Sequence, residues 1–171
     1  MKKLFPLLAV VLVAVLSSCI YVLRSDDGTE GTVSGGITIR FGVPVADIIN
    51  SFEPDRGRGG VYSVGERIRF RVNVDRPGFI TLVVYDNDGA VFALPSEEVG
   101  PGTNILPTRV ALTAAPPRGR TFIRAIFSNA PRVYEFTGRF TRSSWDNSTR
   151  VYLGYFPQAA RDVAETFLDV R

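Results

Sequence analysis

From Ile37 onward the chain alternates apolar and polar residues over short stretches. Ile37-Thr38-Ile39-Arg40-Phe41 and Ile68-Arg69-Phe70-Arg71-Val72-Asn73-Val74 have the period of two that places successive side chains on opposite faces of a β-strand. In the second of these, Arg69, Arg71 and Asn73 share the face opposite the apolar residues. Phe79 to Tyr85 and Ala90 to Leu94 are β-branched or apolar runs joined by Asp86-Asn87-Asp88-Gly89, a spacing that predicts a hairpin. Ile105 to Leu112 predicts one or two short strands broken at Pro107. Thr121 to Ser128 predicts another, with Ile123, Ala125 and Phe127 opposite Arg124. Val133 to Thr141 and Arg150 to Phe156 are further strand candidates, separated by the polar segment Arg142 to Thr149. Near the end, Pro157 suits a first helical position, and Ala160, Val163, Ala164 and Phe167 fall at helical spacing. The same stretch also reads as a terminal strand from Ala164 to Val170, so the expectation is a short helix followed by that strand.

Many short strands, 16 glycines, 11 prolines and no long helical period predict a mainly β fold. The expected class is an immunoglobulin-like antiparallel β-sandwich with at most one short helix near the C-terminus. The disulfide of antibody domains is excluded, because Cys19 is the single cysteine. The first eighteen residues have the three parts of an export signal: Lys2 and Lys3, an apolar run from Leu4 to Leu16, then Ser17 and Ser18. Leu16-Ser17-Ser18-Cys19 resembles the lipobox of bacterial lipoproteins at all four positions. That resemblance implies lipid on the Cys19 thiol, cleavage before it, and an exported, bilayer-anchored location in the bacterial cell envelope. Several acyl chains on one residue anchor stably where one does not. An uncleaved membrane helix is the competing reading, since Leu4 to Leu23 is long enough to span, although Pro6 and the serine pair sit awkwardly for it. The expected organisation is a signal helix over residues 1–18, a flexible tether over 19–35 that is rich in Ser, Asp, Gly and Thr, and one domain over 36–171.

Charge changes this picture little. Lys2 and Lys3 fall in the removed segment, and the remaining cations, all arginine, are nearly balanced by 17 acids. No case for nucleic acid follows, and an exported location argues against it. Codon bias explains the arginine preference, and guanidinium binding to phosphate or carboxylate is the alternative.

Phe52-Glu53-Pro54-Asp55-Arg56-Gly57, Tyr62-Ser63-Val64-Gly65-Glu66, the alternating Ile68 to Val74, and Gly78 to Val83 form an ordered string of features. Asp88-Gly89, Leu94-Pro95 and Pro117-Arg118-Gly119 before Phe122 to Ser128 complete it. As a set they resemble the bacterial domain-of-unknown-function family 4384. The resemblance covers residues 50–130 and implies an immunoglobulin-like module of the cell envelope. It carries over no catalytic residue.

Histidine is absent and Cys19 is assigned to lipid, which removes Ser-His-Asp and Cys-His nucleophiles and the usual zinc sites. The paired carboxylates Asp86/Asp88 and Glu97/Glu98 are what a glycosidase would use, but the first pair suits a turn. Asp86-x-Asp88-Gly89 matches the start of a calcium loop, yet Pro95 stands where that loop needs glutamate. Arg56-Gly57-Arg58-Gly59-Gly60 reads as an anion cradle or a solvated connection, the latter being the plainer. No metal, cofactor or catalytic residue is therefore expected, and the protein is read as a binding or scaffolding module for an envelope protein. The alternative is a glycan or lipid head-group binder using Arg139, Arg142, Trp145, Arg150 and Tyr152, where aromatic faces stack on sugars and guanidinium groups pair with acids. Against it stands burial of Phe140, Tyr152 and Phe156 with Trp145 alone exposed. A hydrolase using the paired carboxylates ranks last.

Overall fold

The computed structural model describes residues 31–33 and 37–171. The export signal and Cys19 lie outside the described residues. The described residues are mainly β, with one α-helix and several antiparallel sheets. β1 (Gly31–Val33), β2 (Ile37–Arg40) and β3 (Val43–Val45) form a small N-terminal sheet. A paired strand therefore lies within the segment expected as tether, with Gly31 opposite Ile39.

The next strands follow the alternation closely. β4 (Ile49–Pro54), β7 (Phe70–Val74) and β11 (Gly102–Leu106) make one sheet in the order β11-β7-β4. β6 (Arg67–Ile68) pairs with β12 (Leu112–Thr113) beside it. The central sheet is built on β8 (Gly78–Tyr85) and β13 (Gly119–Ser128), which run antiparallel with Ala125 opposite Leu82. β9 (Ala90–Ala93) returns along β8 through the Asp86–Gly89 turn, with Tyr85 opposite Val91, so the expected hairpin is present. β10 (Glu97–Val99) pairs with the first residues of β8, and β14 (Gly138–Arg139) with β9.

β15 (Arg161–Val170) borders β13 across ten residue pairs, with Glu165 opposite Arg124. It starts three residues before the strand expected from Ala164, and the helix expected after Pro157 is a single 3-10 turn, Gln158–Ala160. β5 (Val61–Tyr62) closes that edge of the sheet in parallel with the end of β15.

Strand alternation fills a first core. Ile80, Leu82 and Val84 of β8, with Ile123, Ala125 and Phe127 of β13, pack against Phe70, Val72 and Val74 of β7. This is the sandwich interior. Gly78 meets it closely, because a Cβ there would lie 2.3 Å from the Phe127 ring. The opposite face of the central sheet is buried too. Val83, Ile126 and Val163 pack with Phe41, Trp145, Tyr152, Leu153 and Phe156 in a second core.

The cover over that face corrects the sequence reading. α1 (Arg142–Leu153) occupies the polar segment and most of the strand expected at Arg150–Phe156. Its buried residues, Trp145, Ser148, Thr149, Tyr152 and Leu153, fall at the 3-4 spacing of one helical face. The Thr141 hydroxyl accepts the Ser144 N–H at 3.3 Å, which satisfies one of the free donors at the helix start. At the other end the Arg161 guanidinium donates to the carbonyls of Leu153 (2.9 Å) and Phe156 (3.0 Å). Of the strand expected from Val133 to Thr141, only the two residues of β14 form. Among the described residues no helix is long and apolar enough to cross a membrane.

Tyr62 pins the parallel edge. It is fully buried, and its hydroxyl donates to the Asp55 carboxylate at the start of the β4–β5 connection. Burial, helped by that carboxylate, pushes the phenol up to about 12. A tyrosine raised in the folded state contributes stability that is intact below its ordinary value near 10 and is lost as pH rises towards 12. Absorbance titration of the folded protein should show a tyrosinate step near pH 12 that Tyr62→Phe removes. A step that stays unchanged in the variant would contradict this assignment.

Candidate functional site

Arg124 sits in the middle of β13, on the face that the alternation points away from the sandwich core. It is nonetheless fully buried, because α1 covers that face. Taking a guanidinium out of water costs several kcal/mol unless charge and hydrogen bonds replace the solvent. Each replacement is visible. Arg124 Nε donates to Glu165 Oε2 at 2.8 Å across the β13–β15 ladder. Nη1 donates to Thr149 Oγ1 at 2.6 Å and to the Trp145 carbonyl at 3.3 Å, and Nη2 donates to the Asp146 carboxylate.

Two aromatic rings lie against it. The guanidinium carbon is 3.5 Å from the Trp145 ring centroid and 3.9 Å from that of Phe41. Desolvated cation–π contacts of this kind are worth about 2 kcal/mol each. Tyr85 stacks on Trp145 at 4.8 Å, which extends the pile across to β8. Burial pulls the Arg124 guanidinium below its ordinary value, while Glu165 and Asp146 pull it back up. It remains a cation with two carboxylate partners.

Phe41 reaches its place at a cost. It occupies the left-handed backbone region at φ 50° in the turn joining β2 and β3, followed by Gly42 at φ 75°. A bulky residue there is strained by about 1–2 kcal/mol. The turn is held from the helix side, where Arg150 Nε donates to the Phe41 carbonyl at 3.1 Å.

A second buried charge ties the same region together. Asp162, at the start of β15, accepts the N–H groups of Ile48 (2.6 Å), Ile49 (2.7 Å) and Val163 (2.7 Å) and lies 3.3 Å from Arg40 Nη1. Burial raises its pKa despite these donors. Glu97 is buried as well, and its carboxylate accepts the N–H groups of Thr108 and Arg109 and the Thr108 hydroxyl.

The five residues expected to bind a ligand do not form one exposed surface. Trp145 and Tyr152 are fully buried, which overturns both the stacking platform and the expectation that Trp145 alone is exposed. Tyr152 donates to the Arg132 carbonyl at 2.7 Å. Arg142 pairs with Glu165 beside the Arg124 cluster, and Arg150 holds the Phe41 turn. Arg139 lies exposed on β14, donating to Asp88 Oδ2 at 2.6 Å. Cys19 lies outside the described residues.

The carboxylate pairs are likewise engaged. Asp86 Oδ1 accepts the Ala90 N–H at 2.9 Å within the hairpin turn. Partial burial raises Asp86, whereas Asp88 is lowered by its hydrogen bond with Asp86 and by Arg139. Glu97 braces a loop and its neighbour Glu98 points to solvent. The Arg56–Gly60 segment is a connection, with Arg56 on Glu66 at 2.9 Å and Arg58 over the Phe167 ring at 5.3 Å. Among the described residues no three of His, Cys, Asp and Glu cluster in a way that could hold a metal ion. An open depression of about 400 Å³ between Ala93–Ser96 and Pro131–Tyr134 carries Arg132 as its single charged residue.

Fold and charges together define a β-sandwich whose second face is closed by a helix and cross-linked by buried ion pairs. Residues 61–131 match the family described as Domain of unknown function (DUF4384). No curated protein and no solved structure matches the chain.

The Arg124 cluster makes a double-substitution prediction. Arg124→Met leaves Glu165 and Asp146 sharing Arg142 as their remaining cation and should destabilise the fold by about 3–5 kcal/mol. Adding Glu165→Met restores one carboxylate to one guanidinium and should recover part of the loss. Urea unfolding of both variants measures this, and additive losses would contradict it.

Proposed function

We propose that the chain is a cell-envelope lipoprotein, anchored in a bilayer through acylated Cys19, whose immunoglobulin-like sandwich binds or scaffolds protein partners and does not turn over a substrate. The observation that carries this reading is the use of interior charge. Arg124, Glu165, Asp162 and Glu97 join one structural element to another, so the groups with catalytic character are occupied in holding layers together. A rigid module of that kind suits recognition by its outer faces. The Leu16-Ser17-Ser18-Cys19 sequence supports the anchor. The glycan reading loses its aromatic platform with Trp145 and Tyr152 buried, and its arginines are engaged with Glu165, the Phe41 carbonyl and Asp88.

Anchoring is tested by replacing Cys19 with Ser and following incorporation of a fatty-acid label. Loss of label and release from the membrane are expected. A variant that labels and sediments like the natural protein would favour a helical anchor. In-cell crosslinking of the lipidated protein tests the binding function. Recovery of one specific protein is expected, and recovery of glycan, or hydrolysis of an envelope polymer, would replace this reading.

A further inference from the structure

The arginines of the described chain fall into two populations. Arg40, Arg56, Arg120, Arg124, Arg139 and Arg142 each pair with a carboxylate. Arg67, Arg69 and Arg71 do not, although all three are exposed. Arg67 lies on β6, Arg71 on β7 and Arg69 in the single-residue break between them, while the intervening Ile68, Phe70 and Val72 are buried. Arg71 Nη2 reaches only the Asp55 carbonyl, at 3.3 Å. Glu53 stands opposite Arg71 in the β4–β7 ladder without pairing with it. On the other side Ile105 of β11 is opposite Arg71 and 43% exposed, so an apolar residue borders the cations. Arg109, exposed in the β11–β12 loop, adds a further cation without an ion pair.

We propose that this stripe of Arg67, Arg69 and Arg71 is a docking surface for an acidic, extended polypeptide segment. The proposal rests on the binding-module reading above and names the partner's chemistry. Two observations select the occupant. Alternate residues of extended backbone repeat at about 7 Å, and the exposed–buried alternation from Arg67 to Val72 carries that repeat across the break, matching alternate side chains of an extended peptide. Acidic residues at every second position of such a segment would therefore meet the stripe one for one, each as a planar carboxylate against a planar fork. The stripe also lies on the layer remote from the N-terminal strands. β2, β3 and α1 pack on the far face of the central sheet, whereas β6 and β7 form the opposite layer. The chain's own N-terminal strands and helix therefore leave the exposed stripe open to a partner.

Binding of the full chain, held in neutral detergent, to a fluorescent alternating Glu–Thr peptide tests the proposal by anisotropy. Saturable binding that weakens with added salt is expected. The triple variant Arg67→Thr, Arg69→Thr, Arg71→Thr should weaken it by about tenfold or more, as the loss of three exposed ion pairs implies. The triple variant Arg58→Thr, Arg118→Thr, Arg171→Thr removes the same charge elsewhere and should leave binding nearly unchanged. Charge reversal with Arg67→Glu, Arg69→Glu and Arg71→Glu should transfer binding to an alternating Lys–Thr peptide. Equal weakening by the two Thr triples would overturn the proposal by reducing it to net charge. Stripe-dependent binding that is tighter to polyphosphate or to phosphatidylglycerol vesicles than to the peptide would overturn the choice of polypeptide. Crosslinking in cells separates this failure from failure of the wider reading: a protein partner captured equally by the natural chain and the stripe variant refutes the stripe alone.

Discussion

A guanidinium in the middle of a central strand sets the terms for everything on that side of the sheet. Arg124 has no access to water, so its five donors and both faces of its plane must be answered by the protein. The answers come from three separated stretches of chain. Glu165 arrives across the β-ladder, Asp146 and Thr149 arrive on one face of a helix, and Phe41 arrives in a turn. None of them compensates alone. The strained backbone at Phe41 is intelligible on these terms, since about 1–2 kcal/mol of local strain is smaller than the cost of leaving one side of a buried cation open.

The same constraint explains which elements were legible in the sequence. β7, β8, β9 and β13 could be read because their inward residues are apolar and alternate, and the Asp86–Gly89 turn carries the residues that its backbone requires. The helix could not. Two of its five buried positions are Ser148 and Thr149, which serve Arg124 and Tyr134 through their hydroxyls, so the 3-4 apolar period is interrupted where a hydrophobic pattern would announce it. The remaining apolar residues, Val151 and Leu153, happen to alternate with Arg150 and Tyr152 and mimic a strand.

The candidate site was hidden by a related ambiguity. Arg124 alternates with Ile123 and Ala125, and an arginine at such a position ordinarily marks a solvated face. Only a second layer over that face makes it interior, and the layer is the helix that the pattern concealed. Trp145 is ambiguous for the same reason. Placed in a polar segment between two strands it reads as exposed, whereas at the first inward position of a helix it becomes the floor under the guanidinium.

The buried charge also bears on where the folding unit ends. The family match runs over residues 61–131 and contains Arg124 but none of the side chains that compensate it. Nor does that stretch contain β15, the partner of β13 over ten residue pairs, or β4, the partner of β7. A chain limited to it would leave one long edge of the central strand unpaired, one side of the small sheet open, and a cation exposed on an uncovered apolar face. The first core already draws on Ile48 and Ile49 before that stretch and on Leu168 and Val170 after it. The packed unit is therefore larger than the matched segment. It reaches from the N-terminal strands, which present Phe41, to the last strand, which presents Glu165, since both lie against the buried Arg124.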